Sequence, residues 1–180
     1  MTGAHDPVAG PGHDRDADPA SDPADVADLA AQVVRRLVGA GTTLGVAESL
    51  TGGALSAALV SVPGASAAYR GAVVAYATDL KAAVLGVPQD LLDAHGAVHP
   101  DVAAAMAAGA ARVTGSTWGL ATTGVAGPTP QDGRPVGAVH VAVAGPVARV
   151  QSLRLPGGRE QVRRASTAAA LRLLLSCLPG

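Results

Sequence analysis

Ser49, Tyr76 and Lys81 are the side chains of this sequence whose types and positions suit nucleophilic chemistry. Ser49 lies in Val46-Ala47-Glu48-Ser49-Leu50-Thr51-Gly52-Gly53, after a short apolar run and before a helical pattern. A hydroxyl at a strand-to-helix junction, beside glycines that let backbone N–H groups approach a ligand, is well placed to attack a bound carbonyl. The structural alternative is that Ser49 and Thr51 cap the helix, as Ser and Thr often do. Thr51 is expected to satisfy the first helical amides and to leave Ser49 facing a ligand.

A serine becomes a useful nucleophile only when a neighbouring group takes its proton. The chain carries thirteen basic side chains, and Lys81 is the one lysine among them. An amine can lose its proton where a guanidinium cannot, so Lys81 is the leading base. A buried lysine beside a tyrosine or an arginine has its charged form disfavoured, and Tyr76 precedes it by five residues. Glu48 is the rival base, although as the immediate neighbour of Ser49 it is expected to point away. The Gly-x-Ser-x-Gly elbow of α/β-hydrolases is absent. His95 and His99 remain possible bases, and His140, which alternates with apolar residues, reads as structural.

The elements that would position these groups follow from periodicity. Val26, Leu29, Ala30, Val33, Val34, Leu37 and Val38 recur at helical spacing after a Ser21-Asp22-Pro23 start, and Gly39 and Gly41 close that helix. Residues 43–47 read as a buried strand and 54–62 as a helix, with 71–78 as a second strand carrying Tyr76. Two short helices are expected over 79–85 and 88–94. A longer one begins near Pro100 and ends at Gly115; Gly109 on its apolar stripe would admit a close neighbour. Residues 118–122 form a third strand emptying into the turn Thr123-Gly124-Val125-Ala126-Gly127-Pro128. A polar loop over 129–135 and a hairpin of 137–144 with 149–155 follow. A last helix over 159–178 places Val162, Ala165, Ala169, Leu173 and Cys177 on one side.

Strands alternating with helices, then a hairpin, predict an α/β layered fold with a mixed sheet. In such sheets ligands bind beyond the carboxyl ends of strands, where the Ser49 and Thr123 turns would both open. Composition sets further bounds. The chain of 180 residues has one Trp and no Phe, so its core must be built from small aliphatic side chains and its elements must pack closely. A net charge of -1 and the lack of aromatics interleaved with basic residues disfavour nucleic acid as a partner. No apolar run reaches the roughly 20 residues of a membrane span, and the N-terminus has no signal pattern, so a cytoplasmic protein is expected. Residues 1–22, rich in Asp and Pro, read as a disordered tail ahead of a single domain over 23–180. Cys177 is the one cysteine, so no intrachain disulfide can form.

Taken together, Ala47-Glu48-Ser49-Leu50-Thr51-Gly52-Gly53, Tyr69-Arg70-Gly71 with Tyr76 and Lys81, His95-Gly96-Ala97-Val98 and Thr123-Gly124-Val125-Ala126-Gly127-Pro128 resemble the CinA C-terminal domain family over roughly residues 26–175. Enzymatic members of that family are nicotinamide-nucleotide amidohydrolases, also called NMN deamidases or PncC. The resemblance implies a three-layer α/β/α fold, a dimer or higher homo-oligomer, and no metal or other cofactor. It also implies hydrolysis of the carboxamide of nicotinamide mononucleotide (NMN) to nicotinic acid mononucleotide and ammonia. Ser49 would then be the nucleophile, Lys81 and Tyr76 would assist proton transfer, and Glu48, Thr51 and Thr123 would lie around the ligand. Backbone amides near Gly52, Gly53 or Gly124 would serve as oxyanion donors, with Gly127 in the second turn. Arg70, Arg159 and Arg163 are the candidates for the phosphate. A non-catalytic module binding a nucleotide or phosphorylated metabolite is the alternative function. Two positions depart from the family pattern: His99 replaces a serine, and Thr129-Pro130-Gln131-Asp132 replaces a glycine run. The nucleotide-binding domain of longer CinA proteins has no counterpart here, so activity depending on it is expected to be absent.

Overall fold

A computed structural model describes residues 23–179. The expected disordered tail over 1–22 lies outside them. Among these residues six α-helices and five strands follow in the order α1 (Pro23–Gly39), β1 (Leu44–Glu48), α2 (Ala54–Val60), β2 (Tyr69–Val74), α3 (Thr78–Ala83), α4 (Gln89–His95), α5 (Pro100–Thr114), β3 (Trp118–Gly124), β4 (Ala138–Ala144), β5 (Arg149–Arg154) and α6 (Arg159–Cys177), with a 3-10 turn at Ala65–Ala67 before β2. The sheet order is β2-β1-β3-β4-β5. β1 runs parallel to both β2 and β3, whereas β4 is antiparallel to β3 and to β5, giving the mixed sheet that the pattern predicts.

Strand side chains alternate between two faces, and each face has its own core. Val46, Leu120, Val141 and Val143 pack with α1, α2 and α6, while Ala47, Ala121 and Ala142 pack with α5 and the α3–α4 segment. The fold is therefore a three-layer α/β/α arrangement. The alanine face allows α5 to lie very close to the sheet. A Cβ on Gly119 would stand 1.9 Å from the carbonyl oxygen of Ala107, and one on Gly45 would stand 2.0 Å from the Thr114 hydroxyl. Gly109 plays the part expected of it: a Cβ there would come within 2.1 Å of the Leu85 carbonyl oxygen. The scarcity of large aromatics is thus matched by close backbone approach.

Four expectations are corrected. The second strand covers 69–74, not 71–78, because Tyr69 already pairs with Leu44 and the Ala75 amide makes the last bond, to Glu48. Tyr76 is consequently in the connection to α3, and Thr78 begins that helix. The third strand extends to Gly124, because antiparallel pairing with β4 holds Thr123 opposite His140 and Gly124 opposite Val139. In α1, Val38 at the end of the stripe is exposed. In α6 the single stripe gives way to a broader buried surface, with Ser166, Thr167, Ala168, Ala170, Leu171 and Leu174 buried beside Val162 and Leu173. That helix touches both α1 and the sheet, so it has two apolar sides. Among the described residues no helix is long and apolar enough to cross a membrane.

Candidate active site

β1 and β3 are neighbours, and their carboxyl ends carry the two turns singled out in the sequence. The Ser49 amide donates to the Thr122 carbonyl (3.0 Å), which ties the first turn to β3. Gly52 (φ 57°) and Gly53 (φ 95°) then reverse the chain into α2 in left-handed conformations that glycine adopts without steric cost.

Glu48, the last residue of β1, fills the start of α2. Its carboxylate accepts from the amides of Gly53 (2.9 Å), Leu55 (3.1 Å) and Ser56 (2.8 Å) and from the Ser56 hydroxyl. It is fully buried, its oxygens are taken up by the start of α2, and it does not line the pocket over Ser49. The helix cap therefore comes from Glu48, correcting the expectation for Thr51, whose hydroxyl instead bonds that of Thr122 at 2.8 Å. Local rules look for a cap beside the first helical residue; here it reaches back across the turn. The Gly53 amide is bound to Glu48 and the Gly52 amide to the Ser49 carbonyl (3.1 Å), so both oxyanion donors expected there are already engaged.

Lys81 projects from α3 into the space beneath Ser49. Its side chain is buried, and Nζ donates to Ser49 Oγ at 3.1 Å and to the Ala75 carbonyl at 2.8 Å. Burial lowers its pKa from 10.5 to about 8, against the opposing pull of the Asp132 and Asp79 carboxylates. The cause is desolvation, not the tyrosine or arginine neighbour anticipated from the sequence. Tyr76 is 59 % exposed, and its hydroxyl accepts from Arg159 at 2.9 Å.

A pocket of about 80 Å³ opens over Ser49. Tyr76, Thr123, Gly124 and Arg159 line it, as do Ala97, Val98 and Gln131. Thr123 donates its hydroxyl hydrogen to the Ala97 carbonyl (2.7 Å), fixing the apolar 97–98 wall. Arg159 is steadied by the Gly127 carbonyl (2.7 Å) as well as by Tyr76. The other two arginines serve elsewhere. Arg163 donates twice to the Thr51 carbonyl, at 2.7 and 3.3 Å, and Arg70 donates to the carbonyl of Thr114 at the carboxyl end of α5. His99 caps α5, its Nδ1 accepting from the Asp101 amide, and stacks on His95. His140 bonds Ser152 across the hairpin, and burial lowers its pKa. Sequence reasoning did not assign Gln131 to the site; its one signal was the departure from a glycine run.

A model of the CinA C-terminal domain matches residues 26–178. The chain belongs to that family. It is 53 % identical over 149 residues to a CinA-like protein of Frankia casuarinae, covering 82 % of this chain and 34 % of that protein. A CinA-like protein of Gloeobacter violaceus is 52 % identical over 157 residues, covering 84 % and 36 %. The chain thus spans about a third of the length of these CinA-like relatives. Among solved structures, a CinA superfamily protein from Escherichia coli superposes with a TM-score of 0.83 at 31 % identity, over 87 % of this chain and 93 % of that one. The competence/damage inducible protein CihA from Agrobacterium tumefaciens gives 0.82 at 33 % identity, over 86 % and 96 %. The CinA fold therefore accounts for nearly all of the described residues.

Proposed function

We propose that this site is a serine-dependent amidohydrolase acting on the carboxamide of NMN. The observation that carries the reading is the 3.1 Å contact between Ser49 Oγ and the ammonium position of a buried lysine. Deprotonated Lys81 accepts the Ser49 proton while one of its own N–H groups stays bonded to the Ala75 carbonyl. Oγ then forms a bond to the carboxamide carbon. Lys81 passes the proton to the departing nitrogen, the C–N bond breaks, and ammonia leaves an acyl-serine. A water attacks that ester, giving its proton through Lys81 to Ser49 Oγ, and the nicotinic acid nucleotide is released. Gly124, at the end of β3 in the pocket wall, is the remaining candidate of the three glycines for an oxyanion-binding amide. Arg159, the one arginine of the three that lines the pocket, suits the phosphate.

The test is ammonia release from NMN by the purified protein, with Ser49→Ala as control. Ser49→Ala should lower turnover by roughly a millionfold, as loss of a nucleophile does, while nucleotide binding measured by calorimetry persists. Equal ammonia release from both proteins would exclude Ser49 as nucleophile. Binding of NMN by the wild type with no ammonia formed would make the site a ligand-binding module instead.

A further inference from the structure

The loop between β3 and β4 supplies a polar group that the proposed reaction has not yet used. Gln131 lines the same pocket as Ser49, and its side-chain carboxamide has no hydrogen-bond partner among the described residues. The backbone beneath it is firmly held. Gln131 and Arg134 exchange both backbone bonds, at 3.0 and 2.8 Å. Asp132, between them, has φ 50°, the one left-handed non-glycine conformation among the described residues. Such a conformation persists where surrounding contacts impose it. One such contact is the Asp132 carboxylate accepting from the Ala97 amide at 3.2 Å. Gly96 (φ 71°) makes this approach possible, since a Cβ there would lie 2.9 Å from the Cβ of Asp132. The Ala97 carbonyl is in turn bonded by Thr123. Gln131 is thereby mounted on a wall anchored to the loop through Asp132 and to β3 through Thr123.

We propose that Gln131 is a specificity-determining residue that reads the primary carboxamide of the substrate. This rests on the amidohydrolase reading. Two primary amides pair through two antiparallel N–H···O bonds, each offering one donor and one acceptor. The carboxylate product has acceptors alone, so it keeps the bond from Gln131 Nε2 but sets an oxygen against Oε1. Gln131 therefore favours the amide over the acid and lowers product retention. Gln131 is exposed in the free protein, so the discrimination comes from the repulsion of the two acceptor oxygens brought face to face in the product complex.

The experiment compares wild type, Gln131→Ala and Gln131→Glu for KM toward NMN, for inhibition by nicotinic acid mononucleotide and for melting temperature. Gln131→Ala should raise KM about tenfold, as the loss of one or two neutral hydrogen bonds does, with a smaller change in product inhibition. Gln131→Glu should weaken product inhibition by at least a further tenfold through carboxylate repulsion, while KM stays within a few-fold of the alanine variant. All three proteins should melt alike. KM and product inhibition within twofold of wild type in both variants would overturn the proposal. So would parallel shifts of the two constants, because a loosened loop does not distinguish amide from acid. A wild type that releases no ammonia overturns the amidohydrolase reading and this inference with it; an active wild type with indifferent variants overturns the inference alone.

Discussion

Lys81 Nζ lies 3.1 Å from Ser49 Oγ although the two residues are 32 positions apart in the chain. The lysine is buried, and its pKa falls to about 8. Below that pH Lys81 is an ammonium and cannot accept the serine proton; above it the amine is free to do so. kcat/KM for NMN hydrolysis should therefore rise with pH and level off above about 8. Lys81→Arg keeps a cation and removes the base, so its activity should be low and nearly flat across the same range. A wild-type profile flat from pH 6 to 9 would exclude Lys81 as base.

The same burial has a stability consequence. In the unfolded chain Lys81 titrates near 10.5, and in the native protein near 8. Between these values the unfolded state binds more protons, so native stability rises with pH across that window. Below pH 8 the native state carries a desolvated charge. Lys81→Met removes that charge and keeps most of the volume. The melting temperature of Lys81→Met relative to wild type should be highest below pH 8 and should decline as pH rises toward 10.5. Parallel melting curves from pH 7 to 10 would show that no desolvated charge is present.

Glu48 organises the Ser49 turn from behind. Removing its carboxylate leaves the buried amide of Leu55 and the part-buried amides of Gly53 and Ser56 without acceptors. Unsatisfied buried donors cost about 1–3 kcal/mol each when they cannot reach water, so Glu48→Ala should lose about 3 kcal/mol or more in urea unfolding. Glu48→Gln keeps an acceptor oxygen and should lose less. Wild-type stability in Glu48→Ala would mean that the turn does not depend on this cap.

Gly109 tests the close approach of α5. Its substitution by alanine places a methyl group 2.1 Å from the Leu85 carbonyl oxygen, and the backbone must move apart. Overpacking of this kind costs about 1–3 kcal/mol, despite the better helix propensity of alanine. Gly39→Ala, where nothing lies within 4 Å of the added Cβ, should be close to neutral. Chemical denaturation of both variants measures the difference.

The order of helices and strands was legible because apolar residues recur with helical or strand periods and because proline and glycine mark the ends. Close packing was legible too: a chain without Phe, with alanines at 47, 121 and 142, has little to place between a sheet and α5. The strand ends were less so. Residues 71–78 are continuously apolar or β-branched, and only pairing of Tyr69 with Leu44 decides that β2 begins earlier and releases Tyr76 before α3.

By itself the sequence determined that a hydroxyl stands at a strand-to-helix turn, that the chain has a single amine able to serve as base, and that both belong to a recognisable set of motifs. Those are properties of residue type and spacing. Tertiary structure decided which groups meet: Glu48 with the start of α2, Lys81 with Ser49, Arg159 with Tyr76, and Gln131 with the pocket. These pairs join separate elements or span turns, and their distances depend on sheet order and helix placement, which no local periodicity encodes.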